Sequence, residues 1–190
     1  MSSKLLIATL VASALLTGCA STTHTIDIAP TSAPLTEQFS NSHRIKVSVA
    51  PYNTQTVGSI RTGIGERADI VMGNDASTAL LQYTKDALAE LGITPSRGLF
   101  PARTLTLEID TLSYTTRTIA LKTEATLVAD IQATVTQDGK TYTANFKSEK
   151  IEQYGTLPDR HVVEEEINAL LGKTVSRAFN DPQLMTLLTN

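Results

Sequence analysis

The sequence predicts an α+β fold in which an antiparallel sheet of about four to five strands carries two helices on one face. Three observations support this prediction. Apolar and polar residues alternate through most of residues 104–151, as in half-buried strands. Asp138-Gly139, within that stretch, is typical of a two-residue hairpin turn. Two segments, near residues 75–91 and 159–178, carry apolar residues at helical spacing. The predicted order is strand, helix, three-strand meander, helix.

Residues 1–18 predict a secretory signal peptide. Lys4 supplies a positive charge, residues 5–16 are almost wholly apolar and Gly18 is small. A transmembrane helix needs about 20 apolar residues, so this run is too short to span a bilayer. The stretch Leu16-Thr17-Gly18-Cys19 resembles the lipobox of bacterial lipoproteins, in which the cysteine is acylated and becomes the mature N-terminus. Cleavage by the ordinary signal peptidase is the alternative.

Cys19 is the single cysteine of the chain, and an unpaired thiol in an exported protein would be a liability. We therefore expect Cys19 to carry lipid and to anchor the protein in a membrane. Two or three acyl chains make attachment effectively permanent, because each buried methylene contributes about 0.8 kcal/mol. The lipobox resemblance also implies the outer membrane, with the domain facing the periplasm, because Ala20-Ser21 contains no aspartate.

Residues 19–42 are predicted to form the acylated cysteine and a tether rich in Ser, Thr and Pro, and residues 43–190 a single domain. Pro30 and Pro34 exclude a helix in the tether. Residues 25–29 alternate as a short strand would, which leaves open that they dock onto the sheet.

The first half of the domain predicts one strand, a loop and a helix. Alternation within residues 43–52 predicts the strand. Residues 53–73 contain several glycines and predict a loop with one short strand near residues 68–72. The helix begins after Asn74 or Asp75 and ends before Gly92. Its apolar face comprises Leu80, Thr84, Ala87, Leu88 and Leu91.

The meander is predicted from alternation and turn chemistry together. A first strand contains Leu105, Leu107 and Ile109, and a turn follows at residues 115–118. A second alternation occupies odd positions from Ile119 to Val135, including Leu121. A two-residue turn at Asp138-Gly139 would place three apolar pairs on one face of the sheet. A shift of the strand pairing by one residue would turn the apolar side chains of one strand toward solvent. The pairs are Val135 with Tyr142, Ala133 with Ala144, and Ile131 with Phe146.

A long helix is predicted to begin at Pro158-Asp159, and a short one at Asp181-Pro182. Residues 164–166 are all glutamates, which the macrodipole favours early in a helix. We expect them on a solvated face, because consecutive helical positions point in different directions. The buried stripe of the long helix is predicted to comprise Val163, Ile167, Leu170, Leu171, Thr174, Val175 and Ala178.

These features together resemble the YajG family of bacterial lipoproteins. The resemblance rests on the lipobox, the Thr25-Ile26-Asp27-Ile28-Ala29-Pro30 segment, the order of helix and meander, and the Asp138-Gly139 hairpin. It covers nearly the whole chain and supports the predicted fold and location. The resemblance implies no established activity and no catalytic residues.

The residues that could carry chemistry are scattered. His24, His43 and His161 lack the spacing of metal ligands, so we expect no metal and no cofactor. Gly63-Ile64-Gly65 lacks the third glycine of a dinucleotide fingerprint, and a mobile loop is the simpler interpretation. We expect no catalytic residues and no enzymatic activity. A net charge of −3 and a pI of 5.6 argue against nucleic acid or an anionic-lipid surface as the main partner.

The even positions of the predicted central strand are polar, apart from Val128. Such a face is either solvated or a docking surface, and Lys122, Glu124 and Asp130 are its candidate partner-binding residues. The leading hypothesis is a non-catalytic accessory or scaffold lipoprotein that binds another cell-envelope protein. The alternative is a small-molecule or lipid-binding domain with a pocket between helices and sheet. A hydrolase is the third hypothesis.

Overall fold

The computed structural model describes residues 23–31, 35, 39, 44–61, 66–96, 103–156 and 158–189. The strands are β1 (His24–Ile26), β2 (Arg44–Val49), β3 (Thr56–Arg61), β4 (Arg67–Met72), β5 (Thr94–Pro95), β6 (Arg103–Ile119), β7 (Lys122–Gln137) and β8 (Lys140–Tyr154). The helices are α1 (Ala76–Glu90), α2 (Arg160–Phe179) and α3 (Pro182–Thr189).

The α+β class is confirmed, but the predicted antiparallel sheet of four to five strands is wrong. The described residues form one mixed eight-stranded sheet, and four of its seven strand pairings are parallel. The pairings run β1-β4-β3-β6-β2-β5, with β7 on the other edge of β6 and β8 beyond β7. β6 is long enough to pair with β2 near its start and with β3 near its end.

The three-strand meander and its hairpin register are confirmed. β6, β7 and β8 are antiparallel neighbours, and all three predicted apolar pairs across Asp138-Gly139 are present. Asp138 and Gly139 both have positive φ, as the turn requires. The turn predicted at residues 115–118 is wrong, because β6 continues to Ile119 and the chain turns at Ala120-Leu121. Ile119 and Leu121 are consequently exposed rather than part of the apolar face.

Residues 53–73 form two strands where one was predicted. β3 and β4 make an antiparallel pair, and a register shift between Thr56 and Gly58 interrupts the alternation of β3. Gly58 lies opposite Tyr114 of β6, and a Cβ at Gly58 would overlap the Tyr114 carbonyl oxygen. The glycine that suggested a loop is therefore required for close approach of two strands.

The helices and their caps are confirmed, with a third helix added to the two of the predicted fold class. Asp75 caps α1 and Asp159 caps α2, and Gly92 follows α1 with φ of 79°. The predicted stripes of both helices are buried, and the short helix expected after Asp181 is α3. Among the described residues, no helix is long and apolar enough to cross a membrane.

The helices share the apolar face of the sheet. α1 packs on β2 and β5, α2 on β7 and β8, and α3 on β7. Every odd position of β7 from Ala125 to Val135 is fully buried beneath this layer. α2 also contacts β1, which is remote from β8 in the sheet order, so the sheet curves around this helix.

Candidate functional site

The chain that follows Cys19 is held on the domain by two asparagines. Asn74 Oδ1 accepts from the Ile28 N–H and its Nδ2 donates to the Ile28 carbonyl, both at 2.8 Å. Asn168 Oδ1 accepts from the Ala29 N–H at 2.8 Å, and its Nδ2 donates to the Asp27 carbonyl at 2.9 Å. Each amide thus satisfies one donor and one acceptor of an irregular backbone. We refer to Asn74 and Asn168 with residues 24–31 as the clamp.

Further contacts support the clamp. Glu164 Oε2 accepts from the Asp27 N–H at 3.1 Å, and Arg160 donates to the Thr25 carbonyl at 3.2 Å. Ile26 and Ile28 are each about 1% exposed. Gly172 lies inside α2 where a Cβ would overlap the Thr31 carbonyl oxygen, which explains a glycine in a helix interior. Residues 23–31, inside the predicted tether, are therefore packed on the domain.

Replacing Asn168 with alanine is expected to lower the free energy of unfolding by about 1–3 kcal/mol, because backbone groups of Asp27 and Ala29 lose their partners. Asn145 is a matched control: its amide meets Gln132 on an exposed surface, and its change to alanine should cost under about 0.5 kcal/mol. Urea denaturation compares the two, and hydrogen exchange of the Ala29 amide locates the effect. Equal costs for both variants would contradict the clamp.

A basic pocket lies at one end of the sheet. It has a volume of about 310 Å³ and is lined by Arg61, Glu66, Arg67, Arg117 and two threonines. Arg61 Nη1 donates to Thr118 Oγ1 at 2.5 Å. Arg67 donates through Nε to Ser59 Oγ at 3.1 Å and through Nη2 to Thr116 Oγ1 at 3.4 Å.

Arg117 is the exception among the three arginines of the pocket. It pairs with Glu124, with 2.6 Å between Arg117 Nε and Glu124 Oε1 and 2.5 Å between Nη2 and the same oxygen. Two guanidinium groups therefore meet hydroxyl groups, and one meets a carboxylate. The arrangement offers hydrogen-bond donors to an anion.

A second polar cluster lies beneath α2. Tyr154 donates to Glu166 Oε2 at 2.7 Å, and Lys150 Nζ lies 3.5 Å from Glu166 Oε1. Burial, followed by the Glu166 contact, raises the pKa of Tyr154, so this phenol stays neutral and donates. The pKa of Lys150 is also raised, chiefly by its hydrogen bond to Glu152. The expectation that all three glutamates are solvated is wrong for Glu166, whose side chain is 15% exposed.

The predicted partner-binding residues do not form one group. Lys122 is exposed beside the β6–β7 turn, whereas Glu124 is about 6% exposed and accepts from Arg117 and Gln153. Asp130 is half-buried, opposite Lys147 of β8.

Several other residues weighed in the sequence lie outside the described ranges. Cys19, His43 and Gly63 to Gly65 are among them. No group of three or more potential metal ligands occurs within the described ranges. The basic pocket lies at the end of the sheet, whereas the small-molecule hypothesis expects a pocket between helices and sheet.

Sequence reasoning missed the clamp asparagines and the arginine pocket. The sequence indicates Asn74 only as a possible helix cap, and Asn168 interrupts the polar–apolar pattern of α2 without a local reason. Gly172 inside a helical stripe is a second signal that another backbone approaches α2. The arginines come from β3, β4 and β6, so no local spacing brings them together.

The fold resembles that of a solved bacterial protein. A crystal structure of a protein from Xanthomonas campestris has a TM-score of 0.59 at 13% identity, covering 87% of this chain and 95% of that one. The crystal structure of the rare lipoprotein B from Shewanella oneidensis has a TM-score of 0.45 at 13% identity, covering 76% and 96%. Among curated proteins, none matches the sequence significantly. The first likeness shows that this arrangement of mixed sheet and helices is an established fold.

The sequence itself identifies the family. Residues 30–189 match a family described as uncharacterized lipoproteins, and this match covers most of the chain. The protein belongs to that lipoprotein family.

Proposed function

We propose that this protein is an outer-membrane lipoprotein of the YajG type, acylated at Cys19 and facing the periplasm. Family membership and the Leu16 to Cys19 sequence support the anchor. The clamp supports it further, since the chain becomes part of the folded domain only five residues after Cys19. We propose that its role is non-catalytic: it binds another protein of the cell envelope.

The observation that carries the binding role is the polar face of the meander, opposite the helices. Its side chains pair with one another across strands and form an ordered surface. Thr134 and Thr143 hydroxyls lie 3.0 Å apart, Thr136 and Thr141 3.2 Å, and Ser48 and Thr106 3.0 Å. A pre-ordered surface loses little conformational entropy when a partner docks, which favours binding.

A cluster of three acidic side chains near the middle of this face indicates the chemistry of the partner. Glu108 and Asp130 lie close to Asp110 at the register shift of β6. Burial, then the charges of Asp130 and Glu108, raise the pKa of Asp110 above its ordinary value, so negative charge at this point of the face is less favourable than on an isolated aspartate. Asp130 Oδ1 is buried without a hydrogen-bond partner among the described residues. A partner with lysine or arginine side chains would relieve both features.

The experiment is in-cell photo-crosslinking from position Thr143 on this face. Asp130→Lys is expected to abolish most of the crosslinked product by repelling a basic partner, while folding and membrane attachment persist. Glu165→Lys is the matched control, because Glu165 is exposed on α2, where it pairs with His161. If Asp130→Lys captures the partner as well as the parent does, the partner docks elsewhere.

A further inference from the structure

The chain enters the domain at a defined end of the sheet. β1 is parallel to β4, with His24 opposite Ile70 and Ile26 opposite Met72, so the chain arrives from the Arg67 end. Arg67 is three residues before Ile70, about 10 Å along the strand. The five residues from Cys19 to His24 span at most about 17 Å. The Cys19 Cα can therefore lie no more than about 7 Å beyond the level of Arg67.

The same end of the sheet is basic and has an apolar tip. Arg61 lies opposite Arg67 in the β3–β4 pair. The hydrogen bond from Arg61 to Thr118 places both arginines level with the last residues of β6. Beyond them the β6–β7 hairpin continues, with Ile119 41% exposed and Leu121 97% exposed. We define the basic end as Arg61, Arg67, Arg117, Ile119, Leu121 and Lys122.

The hairpin tip extends about as far as Cys19 can reach. β6 ends at Ile119, about 7 Å beyond Arg117, and the turn at Ala120-Leu121 lies just past that point. With Cys19 held within about 7 Å beyond Arg67, a bilayer that takes up the acyl chains lies close to this tip. An exposed leucine beside cations is the composition of a surface that sits in the membrane interface.

We infer that the basic end is a second membrane contact, in which the arginines bind lipid phosphates and Leu121 enters the headgroup–acyl boundary. This inference rests on the proposed acylation of Cys19. Guanidinium groups bind phosphate through paired hydrogen bonds, and anionic lipids attract cations near the surface. Arg61 and Arg67 make no ion pair within the described chain, so both are available.

Most cations of the basic end have no carboxylate partner among the described residues. Glu66 lines the pocket and Glu124 pairs with Arg117, whereas Arg61, Arg67 and Lys122 have no carboxylate partner among the described residues. Attraction to an anionic surface therefore persists at neutral pH. The contact orients the domain on the membrane, with the Asp138-Gly139 hairpin at the far end of the meander directed away from it.

The test uses the acylated chain in vesicles of phosphatidylcholine mixed with phosphatidylglycerol. Because acylated Cys19 cannot react, Leu121→Cys offers a single thiol for an environment-sensitive fluorophore. Lys140→Cys, at the opposite hairpin, is the matched control. We expect lipid-borne quenchers to quench the probe at position 121 strongly and the probe at position 140 weakly. Adding Arg67→Gln should reduce the membrane-contacting population at position 121 by about fivefold.

Equal quenching at the two positions, or none at position 121 in vesicle-bound protein, would overturn the inference. Failure of acylation is distinguishable from failure of the membrane contact. Without acylation, Cys19 of the parent chain would react with the fluorophore, and the chain would not remain with the vesicles. Leu121 is almost fully exposed, so its replacement leaves the fold intact.

Discussion

Replacing Cys19 with serine is expected to release the protein from membranes. A serine hydroxyl does not receive the diacylglycerol, so the chain loses two or three acyl chains at once. Each buried methylene contributes about 0.8 kcal/mol, and the lost anchoring energy exceeds anything the basic end supplies. Membrane fractionation with palmitate labelling measures the effect.

Ser21→Ala is the matched control for this substitution, because it changes a small polar residue two positions away and leaves the thiol in place. It should label and fractionate like the parent chain. Palmitate labelling that survives Cys19→Ser would show that the lipid is not attached to the Cys19 thiol.

Truncating Leu80 or Leu170 to alanine is expected to lower the free energy of unfolding by about 2–5 kcal/mol. Leu80 of α1 is 0% exposed and Leu170 of α2 is 4% exposed, and both belong to the core between helices and sheet. Alanine at either position leaves a cavity in that core and removes buried apolar area.

Glu165→Ala provides the control for both truncations. Its side chain is 66% exposed and pairs with His161 across one helical turn, an interaction that contributes under about 0.5 kcal/mol. Urea denaturation of the three variants measures the loss in the free energy of unfolding for each. Similar losses at all three positions would mean that the buried stripes of the helices are assigned wrongly.

The parts of the fold that the sequence predicted are those with local rules. Asp138-Gly139 determines the hairpin, and the alternation of β7 determines which face is buried, so register followed from two independent signals. The helix caps Asp75 and Asp159 act on neighbouring amides and were equally readable.

The missed parts depend on contacts remote in sequence. Gly58 is predicted as a loop residue, but a glycine is needed there because the Tyr114 carbonyl approaches its Cα. That carbonyl lies 56 residues away in the sequence. β5 has two residues and ends in a proline, too short for any alternation to show. The clamp joins residues 27–29 to α2, and Glu166 meets Tyr154 and Lys150. Composition and periodicity carry no information on such pairings.

The most direct test of the central claim is mass spectrometry of the mature protein extracted from membranes. We predict an N-terminal peptide that begins at Cys19 and carries the mass of a diacylglycerol, with or without a further acyl chain. A mature chain that begins at another residue, or a Cys19 that carries no lipid, would contradict it.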